Sequence, residues 1–138
     1  MSHKQSNHPK TSSFYNFLSA ILAFILWGGW AYYINGRENP EMAIISAITQ
    51  GTASFTITLL MVHAVSWIYH RLPKNSWQIL LPAIFTVSVT GSCLAAIHYT
   101  VGTPEIIYTI SPALSVAFAF CLYTAYKLRK ASHKQESL

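Results

Sequence analysis

Eight of the nine Lys and Arg residues occupy alternate gaps between four long apolar runs. Lys4 and Lys10 precede the first run, Arg71 and Lys74 separate the second from the third, and Lys127, Arg129, Lys130 and Lys134 follow the fourth. The other two gaps hold only Arg37 among the bases, and three of the four acids, Glu38, Glu41 and Glu105. Short loops rich in Lys and Arg stay on the cytoplasmic side of a membrane. The pattern therefore predicts an all-α integral membrane protein: four transmembrane helices in an up-down bundle, with both termini inside.

Composition supports this reading. Only 9% of the 138 residues are charged, against 52% hydrophobic, where a water-soluble domain carries about 25% charged residues. The net charge of +5 lies at the ends of apolar runs. It is read as topology control and attraction to anionic lipid headgroups, not as a nucleic-acid surface. The expected division is a basic tail over 1–13, a membrane domain over 14–128 and a second basic tail over 129–138. The spans fall at about 14–34, 42–69, 77–99 and 105–127, each with the ~20 apolar residues that cross ~30 Å of hydrocarbon. The first run ends in Trp27, Trp30, Tyr32 and Tyr33 without a small-x-small cleavage site, so it is read as a retained span rather than a signal peptide. The natural setting is a bacterial inner membrane.

The second run carries two polar stripes. Ser46, Gln50, Ser54 and Thr58 recur every fourth residue beside Ala43, Ala47 and Gly51, and Thr49, Thr56, His63 and His70 recur every seventh. Such spacings stack side chains on one helix face, and lipid offers them no hydrogen-bond partner. Both stripes are therefore expected to face protein or a wet cavity, with the second run as the central helix. Ser88, Ser92 and Ala96 on the third run, and Ala113, Ala117, Cys121 and Ala125 on the fourth, form small-residue stripes suited to close helix packing. Ser111, Ser115 and Ala119 form another. Gln50 is expected to seek Thr86 or Thr90.

The two outer corners resemble each other. Tyr33, Gly36, Asn39, Pro40 and Glu41 are echoed by Tyr99, Gly102, Thr103, Pro104 and Glu105. Gly closes the outgoing helix, Asn or Thr caps the incoming one, Pro suits its first position, and Glu favours the positive end of the helix dipole. Convergent capping or a duplicated hairpin would each produce the match.

Ionisable groups within the spans are few. The chain has no Asp, and no carboxylate falls mid-span, which argues against a carboxylate-driven exporter. His63 and His98 fall toward opposite ends of their runs and do not suit one bis-His haem. His63 is read as a packing residue or a proton site. Cys93 and Cys121 differ in depth and show no metal spacing. Phosphate loops, nucleophile elbows and dinucleotide fingerprints are absent from the sequence. No cofactor or metal is predicted.

The expected function is that of a non-enzymatic membrane subunit, packed against itself or a larger membrane partner in the bilayer. The alternative is an oligomeric small-solute or lipid transporter whose path is lined by 42–69. The polar positions marked for function are Gln50, His63, His98, Glu41 and Glu105. Those marked for packing are Ala43, Ala47, Gly51, Ser88, Ser92 and Ala96.

Overall fold

A computed structural model describes residues 13–138; the basic lead with Lys4 and Lys10 lies outside the described residues. The described residues form four helices: α1 (Ser13–Asn35), α2 (Pro40–Arg71), α3 (Trp77–Val101) and α4 (Ile106–Glu136). Each is long and apolar enough to cross a membrane. The shortest, α1, has 23 residues, a little more than the ~20 a bilayer requires. Helix α4 continues to Glu136, so the segment read as a polar tail is helical almost throughout.

The helix ends follow from local chemistry. Pro40 opens α2, and the Asn39 side chain accepts from the Glu41 and Met42 amides at 3.1 and 3.3 Å, a standard N-cap. Gly102 ends α3 in the left-handed region, φ 77°, where only glycine avoids a steric penalty. At the opposite end, the Gln78 side chain donates to the carbonyls of Tyr69 and Leu72 and closes the last turn of α2.

Both short corners, 36–39 and 102–105, lie at one end of the bundle, here called the corner end. The α2–α3 connection, Ser13 and the end of α4 lie at the other, the basic end. Helix α2 touches all three of its companions, and so does α4; of the two polar stripes of α2, only the one through Ser46, Gln50 and Ser54 is turned inward. Its contact with α1 is close. A methyl group at Gly28 would sit 3.0 Å from the Ala47 carbonyl oxygen, and one at Gly51 would meet Phe24 at 3.1 Å. Glycine here lets backbones approach.

Toward the basic end, α2, α3 and α4 enclose Met61, Val65, Tyr69, Ala83, Cys121 and Ala125. The outer surface is studded with large hydrophobic side chains, from Phe14 and Leu22 on α1 to Tyr123 on α4. A water-soluble monomer seldom exposes apolar patches of this extent.

Candidate functional site

The polar side chains that the sequence scatters over four helices converge at the corner end. His98 is fully buried between α2 and α3. Its Nε2 lies 2.7 Å from Gln50 Oε1, and its Nδ1 lies 2.7 Å from Thr103 Oγ1. Gln50 Nε2 donates to Ser54 Oγ at 3.3 Å, and Ser46 Oγ donates to Thr103 Oγ1 at 3.1 Å.

These contacts fix one another's directions. Because the Gln50 amide nitrogen faces Ser54, its oxygen faces His98, so His98 Nε2 carries the hydrogen. Nδ1 is then bare and accepts from the Thr103 hydroxyl, which in turn accepts from Ser46. The result is one continuous chain, Ser46 to Thr103 to His98 to Gln50 to Ser54, with the imidazole neutral. Each of the five side chains is buried, and each has a partner, as a low-dielectric interior demands.

A second cluster ties α1 to α4. Asn35, also fully buried, donates to the Ala31 carbonyl at 2.8 Å and to Thr109 Oγ1 at 2.9 Å. Its Oδ1 accepts from the Glu105 amide at 3.0 Å, so a residue of α1 caps the first turn of α4. Thr109 passes its own hydrogen to the Glu105 carbonyl at 2.6 Å. One turn away, Trp30 Nε1 donates to the Tyr108 carbonyl at 2.9 Å. That carbonyl is the one that Pro112 leaves without its helical donor four residues on. The carbonyl freed by Pro112 in α4 is thus satisfied from α1.

Several positions differ from their sequence reading. Gln50 bonds to His98 and Ser54, not to Thr86 or Thr90. Thr86 Oγ1 is the one buried side-chain polar atom without a partner among the described residues. Thr103 does not cap α4; it is drawn inward to His98 and Ser46. The seven-residue stripe of α2 turns outward, with Thr56, His63 and His70 all exposed. Ser88, Ser92 and Ala96 of α3 are exposed as well, as are Ser111, Ser115 and Ala119 of α4. Four of their hydroxyls are nonetheless satisfied within the helix. Thr56 donates to the Thr52 carbonyl, Ser92 to Ser88, Ser111 to Ile107 and Ser115 to Ser111, the back-bonding that lets a helical hydroxyl face lipid.

Among the other marked positions, Glu105 departs from the sequence reading, standing at the N-cap of α4 and not in its first turn. Ala43 and Gly51 are buried and Ala47 half-buried, with the α1–α2 contact running over Ala47 and Gly51. Ala113, Cys121 and Ala125 face inward on α4. Glu41 lies in the first turn of α2 and is exposed; Glu105 is the half-buried N-cap residue of α4. Cys93 is exposed and Cys121 buried, and both are free thiols. Asn35 is not among the positions that the sequence marked for function or packing. The available signal was its spacing from Ala20, Gly28 and Ala31, the buried stripe of α1.

Between α1 and α4, below these ties, lies a cleft of about 430 Å³. Its floor is α2, through Ser54, Ile57, Thr58 and Met61. Trp27 and Ala23 line one wall, and Ala117 and Phe120 the other. Ser54, the last member of the His98 chain, therefore touches the cleft.

At the basic end, Lys74 and Glu136 form an exposed ion pair. The hydrogen bond to Glu136, and then its charge, raise the Lys74 pKa. The same bond and charge hold Glu136 below the usual carboxylate range. A smaller recess of about 180 Å³ here is lined by His70, Lys74, Arg129 and His133.

No protein-family model, no curated protein and no solved structure matches this chain.

Proposed function

We propose that the protein is a multi-pass membrane protein whose work is binding and assembly within the bilayer, not catalysis. The observation that carries this reading is the division of polarity. The polar side chains at the corner end are spent on one another, while the outward surface is dominated by large apolar side chains, with several of its hydroxyls bonded back to their own helix. Neutral, doubly bonded His98 acts as a clamp between helices in this arrangement. The charge asymmetry of the gaps supports an orientation with the basic end on the cytoplasmic side, and so with both termini inside, in a bacterial inner membrane.

The assembly part of the reading draws support from α3. Ser88, Ser92 and Ala96 offer a smooth, exposed, every-fourth-residue face, the kind on which membrane helices associate. Ala47 and Gly51, by contrast, are occupied by α1 within one chain. Crosslinking and mass spectrometry of the native membrane complex test the proposal. We expect oligomers or a larger partner, weakened by Ser92→Leu. A strictly monomeric chain, indifferent to Ser92→Leu, would overturn it.

A transport role for the oligomer is the second reading. The cleft favours it, because α2 contributes Ser54 and Thr58 to its floor between α1 and α4. Flux through proteoliposomes that Thr58→Trp blocks would favour transport over assembly.

A further inference from the structure

The cleft between α1 and α4 has features that a random gap between helices lacks. The two helices are pinned at the corner end by Asn35–Thr109 and Trp30–Tyr108. Below those ties the small residues Ala23, Ala113 and Ala117 leave the space between the walls unfilled. The lining is mostly apolar, with Ser54 and Thr58 on the floor and Asn16 toward the basic end.

Charge lies in line with it. Val116 and Phe120 line the cleft, and Tyr123 and Lys127 follow at three- and four-residue spacing on the same face of α4. Equal distances from the Asn35–Thr109 bond along these antiparallel helices reach Phe17 and Lys127. Asn16 and Lys127 therefore stand at one level on the two sides of the mouth. Lys127 is exposed, with its Nζ 5.5 Å from the centre of the Tyr123 ring. Seven residues of helix, about 10 Å, separate it from Phe120.

The geometry points to an anionic glycerophospholipid as the occupant: one acyl chain in the α1–α4 cleft, its phosphate at Lys127 and its glycerol region at Asn16. This rests on the membrane-embedded reading above. The charge complementarity of Lys127 and the depth ordering of apolar cleft, amide and ammonium select a lipid of the basic-end leaflet over a partner helix. Asn16 Nδ2 donates to the Leu59 carbonyl at 3.5 Å, which leaves its Oδ1 for the glycerol region; a partner helix would leave Lys127 without a matching anion.

The test uses the purified full-length chain in dodecyl maltoside with added palmitoyl-oleoyl phosphatidylglycerol. Native mass spectrometry is expected to retain a single lipid per chain. Lys127→Gln should weaken this adduct by about fivefold, as loss of one basic residue at an anionic headgroup does, and bring it to the level of phosphatidylcholine. Ala117→Trp and, separately, Ala23→Leu fill the cleft and should remove the adduct while the melting profile shows a folded chain. One equivalent of phosphatidylglycerol with brominated acyl chains should quench fluorescence in the wild type and much less in Trp27→Phe. Adducts that survive both filling variants, or quenching indifferent to Trp27, would overturn the proposal. Extraction of the chain from membranes by alkaline carbonate would instead overturn the embedded reading itself. A chain that resists carbonate yet holds no lipid refutes the lipid alone.

Discussion

Near the corners, the helices meet through an imidazole, two carboxamides and four hydroxyls; toward the basic end, α2, α3 and α4 meet through Met61, Val65, Ala83, Cys121 and Ala125. In water the second arrangement would dominate stability. In hydrocarbon it gains little from burial, because lipid tails are as apolar as the side chains and only packing remains. The polar end carries the specificity, since no lipid can replace its partners. The same contrast explains the cleft. Polar ties hold α1 to α4 at the corner end, and the cleft opens where those ties stop.

The contrast can be broken hardest at its centre. His98→Leu leaves the Gln50 carbonyl buried without a partner and the Thr103 hydroxyl, still bonded by Ser46, without an acceptor for its own hydrogen, and should cost about 1–3 kcal/mol. Equilibrium unfolding in mixed micelles measures this. His98→Leu combined with Gln50→Leu should cost less than the sum of the two single changes, because the pair then leaves no mutual orphan.

Trp30→Phe comes next. It keeps the ring but strips the donor from the Tyr108 carbonyl, a loss of about 1 kcal/mol. In a Pro112→Ala background the helix supplies its own amide to that carbonyl, and the same substitution should become nearly silent. A full cost in both backgrounds would refute the cross-helix satisfaction of that carbonyl.

In the dry half the sign should change. Thr86→Val removes a hydroxyl that bonds to nothing while keeping its shape. Stability in the same assay should hold or rise slightly.

The exposed ion pair should matter least. Glu136 titrates below the ordinary glutamate range because Lys74 bonds to its charged form; Lys74 titrates above the ordinary lysine range for the reciprocal reason. Whatever the pair contributes is present between those ranges. It is lost as acid protonates Glu136 through its lowered pKa, or as base deprotonates Lys74 through its raised one. Lys74→Gln should move the Glu136 midpoint, followed by NMR, back up toward the usual value without a measurable change in unfolding.

Much of the architecture was legible because it depends on length, charge and capping. The four runs, the Asn39 cap and the central position of α2 all follow from local rules. Phase about each helix axis was not legible. On α3, Ser88, Ser92 and Ala96 recur as regularly as Pro82, Thr86, Leu94 and His98, and periodicity alone cannot say which set turns inward. The structure buries the second set, so His98, which the sequence places only toward one end of its run, becomes the partner of Gln50. The matched corners misled for a related reason. Asn39 and Thr103 occupy equivalent places, but the hydroxyl of Thr103 finds a buried imidazole and Asn35 takes over at α4. Capping chemistry in one corner is local; in the other it is supplied from a distant helix.

That distance has a consequence for biogenesis. The pairs Asn35–Thr109, Ser46–Thr103 and Gln50–His98 each join the first hairpin to the second across 48 to 74 residues of chain. On the membrane-embedded reading proposed above, a ribosome delivering α1 and α2 to the insertion machinery delivers an amide, a hydroxyl and a carboxamide whose partners have yet to be translated. The half-made protein is the species that most needs shelter from lipid, and arrival of the second hairpin is the event that releases it.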